Sequence, residues 1–331
     1  MYYFSLARTA LKVGISLYGY ENDKVVLIPN FLCDSVTGAL FEENINVVTY
    51  DLLDNLQPNW NELNGLCIEN NVFAVLMVHY FGQPQLIGKF QDLCNKYNIL
   101  LIEDNAHGYG GRFNGKKLGT YGDIGIASPR KFLNSSYGGE LYLKDNSFKM
   151  NNTSINILPS LNFSLFDELK KIIFYFPKLS LFLKSIKYSS INFSDPYYFQ
   201  EGVKEDRYLC ESSINLINRV DWGAISCQRR GLWVEWEEFA KSHGLSPVFK
   251  EVWPESTPWS FPVFTKNVEQ RNEWIKWGVK YKVLLFSWPA LPTLEIEKKS
   301  SAFKKWERVL CFPLDGLSPE DLCDAAKNTT I

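Results

Sequence analysis

Three histidines, three methionines and no excess of either charge mark this 331-residue sequence, in which 35 Lys and Arg stand against 37 Asp and Glu for a formal net charge of −2. A chain without a global positive field has little hold on phosphate backbones or anionic lipid, so nucleic acid is excluded as the expected partner. The seven cysteines (Cys33, Cys67, Cys94, Cys210, Cys227, Cys311, Cys323) are odd in number and never fall in CxxC or Cys/His ligand spacing. That argues against a structural metal site and for a reduced, cytoplasmic setting. The N-terminus, MYYFSLARTALKVG, shows no charged n-region followed by an apolar h-region. No export is expected, and sequons such as Asn162 with Ser164 are read as chance. No run is long and apolar enough to span a bilayer. The most lipid-like stretch, Lys170 to Tyr188, interleaves lysines with aromatics around Pro177. Two short helices with a buried face and a snorkelling lysine face are expected there in preference to an interfacial helix.

What the sequence does have is core-forming material, 46% hydrophobic and 15% aromatic. This length implies about two domains, or one large α/β domain with an appendage. Nine of the ten tryptophans lie between Trp222 and Trp306, so composition changes near residue 220. Before that point apolar strands alternate with helices. Thr9 to Leu17 has helical spacing, Lys24 to Ile28 is strand-like, and Ser35 to Phe41 is helix-like. Asn46 to Tyr50 and Val72 to His79 then read as strands, Leu86 to Tyr97 as a helix, and Ile99 to Ile102 as a strand. This order predicts a mostly parallel sheet covered on both faces, with chemistry at the carboxyl ends of its strands. Asn114-Gly115 predicts a tight hairpin. Ser212 to Phe239 reads as one long helix carrying Arg219, Arg229 and Arg230, of which at least two are expected on a solvated face. Pro247, Pro254 and Pro258 suggest a hinge. A smaller α/β piece follows, with strands at Ser260 to Thr265 and Val283 to Phe286 around a helix at Val268 to Gly278.

Two strand exits carry chemistry-bearing groups: Ile99 to Ile102 runs into Glu103, Asp104, Asn105, Ala106 and His107, and Ile124 to Ala127 runs into Ser128, Pro129, Arg130 and Lys131. In an open α/β sheet Asp104 and Lys131 lie near each other. On spacing alone, a helix-capping or salt-bridged aspartate and a solvated lysine are the more frequent explanation. The wider strings decide more: Leu101 to His107, Gly115 to Gly125, Ser128 with Lys131, Gly138-Gly139, and upstream Val26 to Pro29 and Val78 to Pro84. Together they resemble the DegT-type sugar aminotransferase family, pyridoxal-phosphate (PLP) enzymes of fold type I. The resemblance is strong over residues 7 to 145, weaker from about 210 to the end, and poor for 150 to 205.

The resemblance implies roles position by position. Lys131 matches the lysine that forms the Schiff base with PLP and, once released, acts as general base. Asp104 matches the aspartate facing the pyridine nitrogen, where a carboxylate keeps the ring protonated. His107 stands where the family usually has Gln, either side chain being able to donate to the ring's phenolic oxygen; a structural histidine is the alternative. Ala7 and Arg8 replace the family's Gly-Thr at the start of the phosphate helix, and Arg8 offers a charged fork in place of the hydroxyl. Ser128 is either a phosphate ligand or a turn cap, and Cys33 either flanks the ring or is a core residue. Ser213 and Asn215, in the segment leading into the long helix, match a partner-chain loop in a homodimer whose active sites form at the interface. The chain starts close to the phosphate helix, so a preceding wall segment present in relatives is expected to be missing. No metal is implied.

These implications make residues 1–243 a PLP-binding large domain, with a divergent insertion at 151–205 and a connecting helix at 211–242, and residues 244–331 a small C-terminal α/β domain. The expected activity is transfer of an amino group from an amino acid, glutamate by family habit, to a keto sugar, nucleotide-linked, in amino-sugar or surface-polysaccharide biosynthesis. The alternatives are a non-sugar acceptor, or an altered family member serving as a scaffold or partner subunit.

Overall fold

A computed structural model describes residues 1–133, 135–160, 193, 195–197, 204–288, 290–329 and 331. The Lys170 to Tyr188 stretch, the Asn162 sequon and most of the divergent 151–205 segment lie outside the described residues.

The alternation read from the sequence becomes a seven-stranded sheet in the order β1-β9-β8-β5-β4-β2-β3. Its parallel strands are β2 (Val25–Pro29), β3 (Val47–Tyr50), β4 (Val72–Val78), β5 (Leu100–Asn105) and β8 (Ile124–Ala127). They are short runs rich in Val, Ile and Leu, and β4 is buried along all but its first residue, as a sheet covered on both faces requires. Two antiparallel strands extend one edge: β9 (Gly139–Leu143) pairs with β8, and β1 (Tyr2–Phe4) pairs with β9. Neither has a distinctive pattern of its own. Each finds its place only by pairing with a strand distant in the chain.

Helix α1 (Ala7–Leu17) lies across β8 and β9, buried from Arg8 to Ile15. It approaches so closely that a Cβ on Gly14 would stand 2.6 Å from Ile124 Cγ2. Helices α2 (Asp34–Glu42), α3 (Trp60–Glu69) and α4 (Ile87–Tyr97) complete the layers. The predicted hairpin is present between β6 (Arg112–Phe113) and β7 (Lys116–Lys117), with Asn114 at φ 49° and Gly115 at φ 76°, the pair of positive φ values this tight turn demands.

The expected single helix over 211–242 is two helices. After α5 (Arg130–Leu133), α6 (Glu211–Arg219) ends at an extended Val220. Asp221 then caps α7 (Trp222–Ser242) by accepting the Ala224 N–H. The physical reason is that a good N-cap acceptor in mid-pattern starts a new helix. A second sheet, β10-β11-β12 (Ser246–Pro247, Ser260–Phe264, Val309–Pro313), packs against α7 and α8 (Val268–Tyr281). The strand expected at Val283 to Phe286 is a single bridge from Phe286 to Cys311 of β12, the strand that pairs with β11 along its full length. Four tryptophans, Trp233, Trp236, Trp274 and Trp277, fill the core of this part. With Trp288 and Trp306, buried in the core around the first sheet, six of the nine are core bulk.

Candidate active site

The pairing of β5 with β8 sets Asp104 opposite Ile126 and Asn105 opposite Ala127, so the two chemistry-bearing exits leave the sheet side by side. Next to them begins α1. Between these elements and Trp288 lies a cavity of about 640 Å³, counting its open mouth. Ala7, Arg8, Cys33, Asp104, His107, Ser128 and Lys131 all line it, so the seven residues that the resemblance assigns to the cofactor share one cavity. Ser213 and Asn215 do not line it. They sit on α6 and not in a loop, Ser213 facing inward with its hydroxyl against Cys210 Sγ and Asn215 facing out.

Asp104 is held at the base of the cavity, Oδ1 accepting the Ala106 N–H at 2.8 Å. Burial pushes its carboxyl above the ordinary value, an effect only partly offset by the Ala106 N–H and the charge of Lys131. His107 is neutral: burial holds it well below its ordinary pKa, and the nearby Lys131 charge adds to this. The Phe81 N–H donates to its Nδ1 at 3.4 Å, which leaves the proton on Nε2, free to be donated. Phe81 itself lies at φ 54°, a left-handed conformation imposed by the tight turn after β4.

A buried carboxylate braces these exits from behind. Glu103 accepts hydrogen bonds from His79 Nε2 at 2.8 Å and from the backbone N–H groups of Gly119, Tyr121 and Gly122. Burial alone would raise its pKa, but the His79 bond and these N–H groups outweigh it and leave the carboxyl below its ordinary value. The Gln85 N–H donates to His79 Nδ1, so this imidazole too carries its proton on Nε2. The loop before β8 is thus fixed, and with it the direction in which Ser128 and Lys131 leave the strand.

The residues present fit PLP. Helix α1 starts at the cavity with no side-chain cap at Leu6 and no acidic residue in its first turn. Its first N–H groups, which no residue of the helix can satisfy, and its dipole suit an anion. The Ser128 hydroxyl and Arg8 add to that seat, although one arm of Arg8 is committed, Nη2 donating to Glu42 Oε1 at 2.6 Å. A buried carboxyl whose ionised form is disfavoured gains from a cationic ring N–H, which is what Asp104 offers a pyridinium. Cys33 stands at the start of α2, accepting from the Ser35 hydroxyl.

The sequence did not reveal the strap that reaches His107. Residues 253–259 are pinned at Trp253 N–H to Gln83 Oε1 (2.8 Å), Arg112 N–H to the Glu255 carbonyl (2.8 Å), and Trp259 N–H to the Phe81 carbonyl (3.1 Å). Arg230 donates to the Ser256 carbonyl, and the buried Arg229 donates to those of Pro258 and Trp259. The expected hinge is therefore a fastened segment. Arg229 and Arg230, expected on a solvated face, are its fasteners, because carbonyls freed by Pro254 and Pro258 need donors. The strap delivers Trp259, whose indole stacks on His107 at 4.4 Å between ring centres. No tryptophan spacing in the sequence signals that contact.

Residues 4–157 match the family model of the DegT/DnrJ/EryC1/StrS aminotransferases. That segment, just under half of the chain, is similar to the aminotransferases of the DegT family. Among curated relatives, the GDP-perosamine synthase of Vibrio cholerae is 30% identical over 133 residues, 39% of this chain and 36% of that protein. The UDP-4-amino-4,6-dideoxy-N-acetyl-beta-L-altrosamine transaminase of Campylobacter jejuni is 26% identical over 137 residues, 40% of this chain and 36% of that protein. The match thus spans about a third of the length of these relatives. In architecture the likeness to solved aminotransferase structures covers nearly the whole chain. PseC of Helicobacter pylori, an aminotransferase involved in the biosynthesis of pseudoaminic acid, superposes with a TM-score of 0.66 at 14% identity, covering 94% of this chain and 80% of that one. The aminotransferase TlmJ of Streptoalloteichus hindustanus gives 0.67 at 18% identity, covering 97% and 82%. The fold is fold type I. Among the described residues, no helix is long and apolar enough to cross a membrane, and no three His, Cys, Asp or Glu side chains group as metal ligands.

Proposed function

We propose that the chain is a PLP-dependent aminotransferase that moves an amino group from an amino acid, glutamate, to a nucleotide-linked keto sugar in amino-sugar or surface-polysaccharide biosynthesis. The observation that carries this reading is the meeting of Asp104, His107, Ser128 and Lys131 in one cavity at the start of α1. The names of the DegT-family relatives, a perosamine synthase and a sugar transaminase, support the sugar acceptor. When bound, PLP supplies the electron sink that lets an amino acid lose its α-proton.

The residues then divide the work. The α1 N-terminus and the Ser128 hydroxyl hold the phosphate, with the Arg8 guanidinium adding charge. Asp104 accepts the ring N–H, and its ionised form is stabilised by that contact. His107 donates its Nε2 proton to the phenolic oxygen and stays neutral while doing so. Lys131 would anchor the cofactor through its amine, and the same amine is the base placed to take a proton from the substrate carbon. In this reading residues 1–243 carry the cofactor, residues 244–331 cover it, and the working unit is a homodimer.

Purified protein incubated with PLP is expected to develop the visible absorbance of lysine-linked cofactor, with borohydride fixing the cofactor to Lys131 in a peptide map. Lys131→Ala is expected to abolish turnover and to keep the wild-type circular dichroism, because Lys131 is half-buried at a cavity wall and not in the core. A protein that takes up no PLP refutes the enzyme reading.

A further inference from the structure

The Lys131 ammonium nitrogen lies 5.0 Å from the centre of the Trp259 ring, within the range of a cation–π contact. The indole is not placed there by chance packing. Arg229 is 4% exposed and donates to the Trp259 carbonyl at 3.0 Å and the Pro258 carbonyl at 3.2 Å. The same guanidinium lies 4.9 Å from the ring centre of Phe132, the residue after Lys131 on α5. One buried cation therefore fixes both the residue bearing the indole and the helix bearing the lysine. The stack on His107 braces the indole from the β5 side.

We propose that Trp259 is a positioning residue for Lys131: its ring face seats the charged, unlinked form of the lysine, and Arg229 holds that seat in register with α5. The ring competes with covalent linkage to the cofactor and catches the amine each time it is released. The catalytic meaning deepens the aminotransferase reading and rests on it, whereas the contact belongs to the chain alone. Among the described residues that line the cavity, the other charged or titratable groups are Asp104 on β5, His107 just beyond it, Arg8 on α1, Cys33 at the start of α2 and Arg130 on α5 itself. Asp104 favours the ammonium by charge, and the indole face adds a contribution of a different kind that the carboxyl does not duplicate.

Only a neutral amine is acylated, so competitive acetylation of Lys131 in full-length, PLP-free protein, followed across a pH series by peptide mass spectrometry, reads the proton affinity of this side chain. Trp259→Leu, which keeps apolar volume and removes the π face, is expected to lower the midpoint by about 0.4 to 1.5 pH units. Trp259→Phe, with a weaker ring face, is expected to lower it by less. A merely structural tryptophan would change the melting temperature and leave the midpoint where it was. Should the Leu variant fail to fold by circular dichroism, the Phe variant decides. Midpoints equal to wild type in the folded variants overturn the proposal. Absence of PLP uptake by the wild type would refute the aminotransferase reading separately, since the acetylation experiment needs no cofactor.

Discussion

Gly139→Ala offers a direct test of how the sheet edge shapes the anion seat. Gly139 opens β9 and faces Phe4 of β1, and a Cβ there would fall within 3.0 Å of three backbone atoms, Leu6 C, Leu6 O and Ala7 N. Real Cβ atoms essentially never come so close, and none of the three belongs to a side chain that could swing away. The backbone at the start of α1 must therefore move. Overpacking of this kind costs about 1–3 kcal/mol. A shift on the order of 1 Å in a binding element lowers function by roughly 10²-fold. PLP affinity, followed by titration of the lysine-linked absorbance, is expected to fall by about 10- to 100-fold, equivalent to about 1.4–2.8 kcal/mol. Gly65→Ala is the control. Gly65 lies within α3 with nothing inside 4 Å of its would-be Cβ, and the substitution is expected to stabilise by about 0.4–1 kcal/mol with PLP affinity unchanged. A Gly139→Ala protein that melts and binds PLP like wild type would refute the account of α1 as the phosphate seat.

Asp104→Asn is expected to retain PLP, since Lys131 and the α1 seat remain, and to lose roughly 10²–10³-fold in transamination rate; full activity in a coupled glutamate assay would show the ring-nitrogen role to be misplaced. His107 is held well below its ordinary value of 6.5, so the unfolded chain takes the proton first and stability falls as pH drops below 6.5. His107→Gln is expected to remove up to about 1.4 kcal/mol per pH unit of that slope between about pH 6.5 and 5, and an unchanged slope in urea unfolding would count against a buried neutral imidazole. All seven cysteines are free, and burial pushes the Cys67 and Cys94 thiols up to about 11 and about 12. Native thiol labelling is expected to modify the exposed Cys227 and Cys323 first, and early modification of Cys94 in a peptide map would contradict the packing of α4.

Much of the first sheet and its candidate site was legible in the sequence. Strands β2 to β5 and β8 announce themselves by short apolar runs, the Asn114-Gly115 turn by its dipeptide, and the site by two polar strings at adjacent strand exits. These are local signals, governed by side-chain alternation and backbone sterics within a few residues. They also place Asp104 and Lys131 together, because a parallel sheet aligns its strand exits once the strand order is set.

The remainder depended on partners distant in the chain. β1 and β9 look like nothing in particular until they pair, and the break at Val220 and Asp221 is hidden inside a helical pattern that continues on both sides. Arg229 reads as a surface arginine until the Pro258 and Trp259 carbonyls are laid beside it. Trp259 reads as one bulky residue among nine. The sequence by itself determined most of the alternation of strands and helices and which groups leave adjacent strand exits, since both are written in neighbouring residues. Only the tertiary structure decided what stands against them, that an indole faces the lysine and a buried guanidinium fixes the indole, because a contact across the core leaves no periodicity in either segment that makes it.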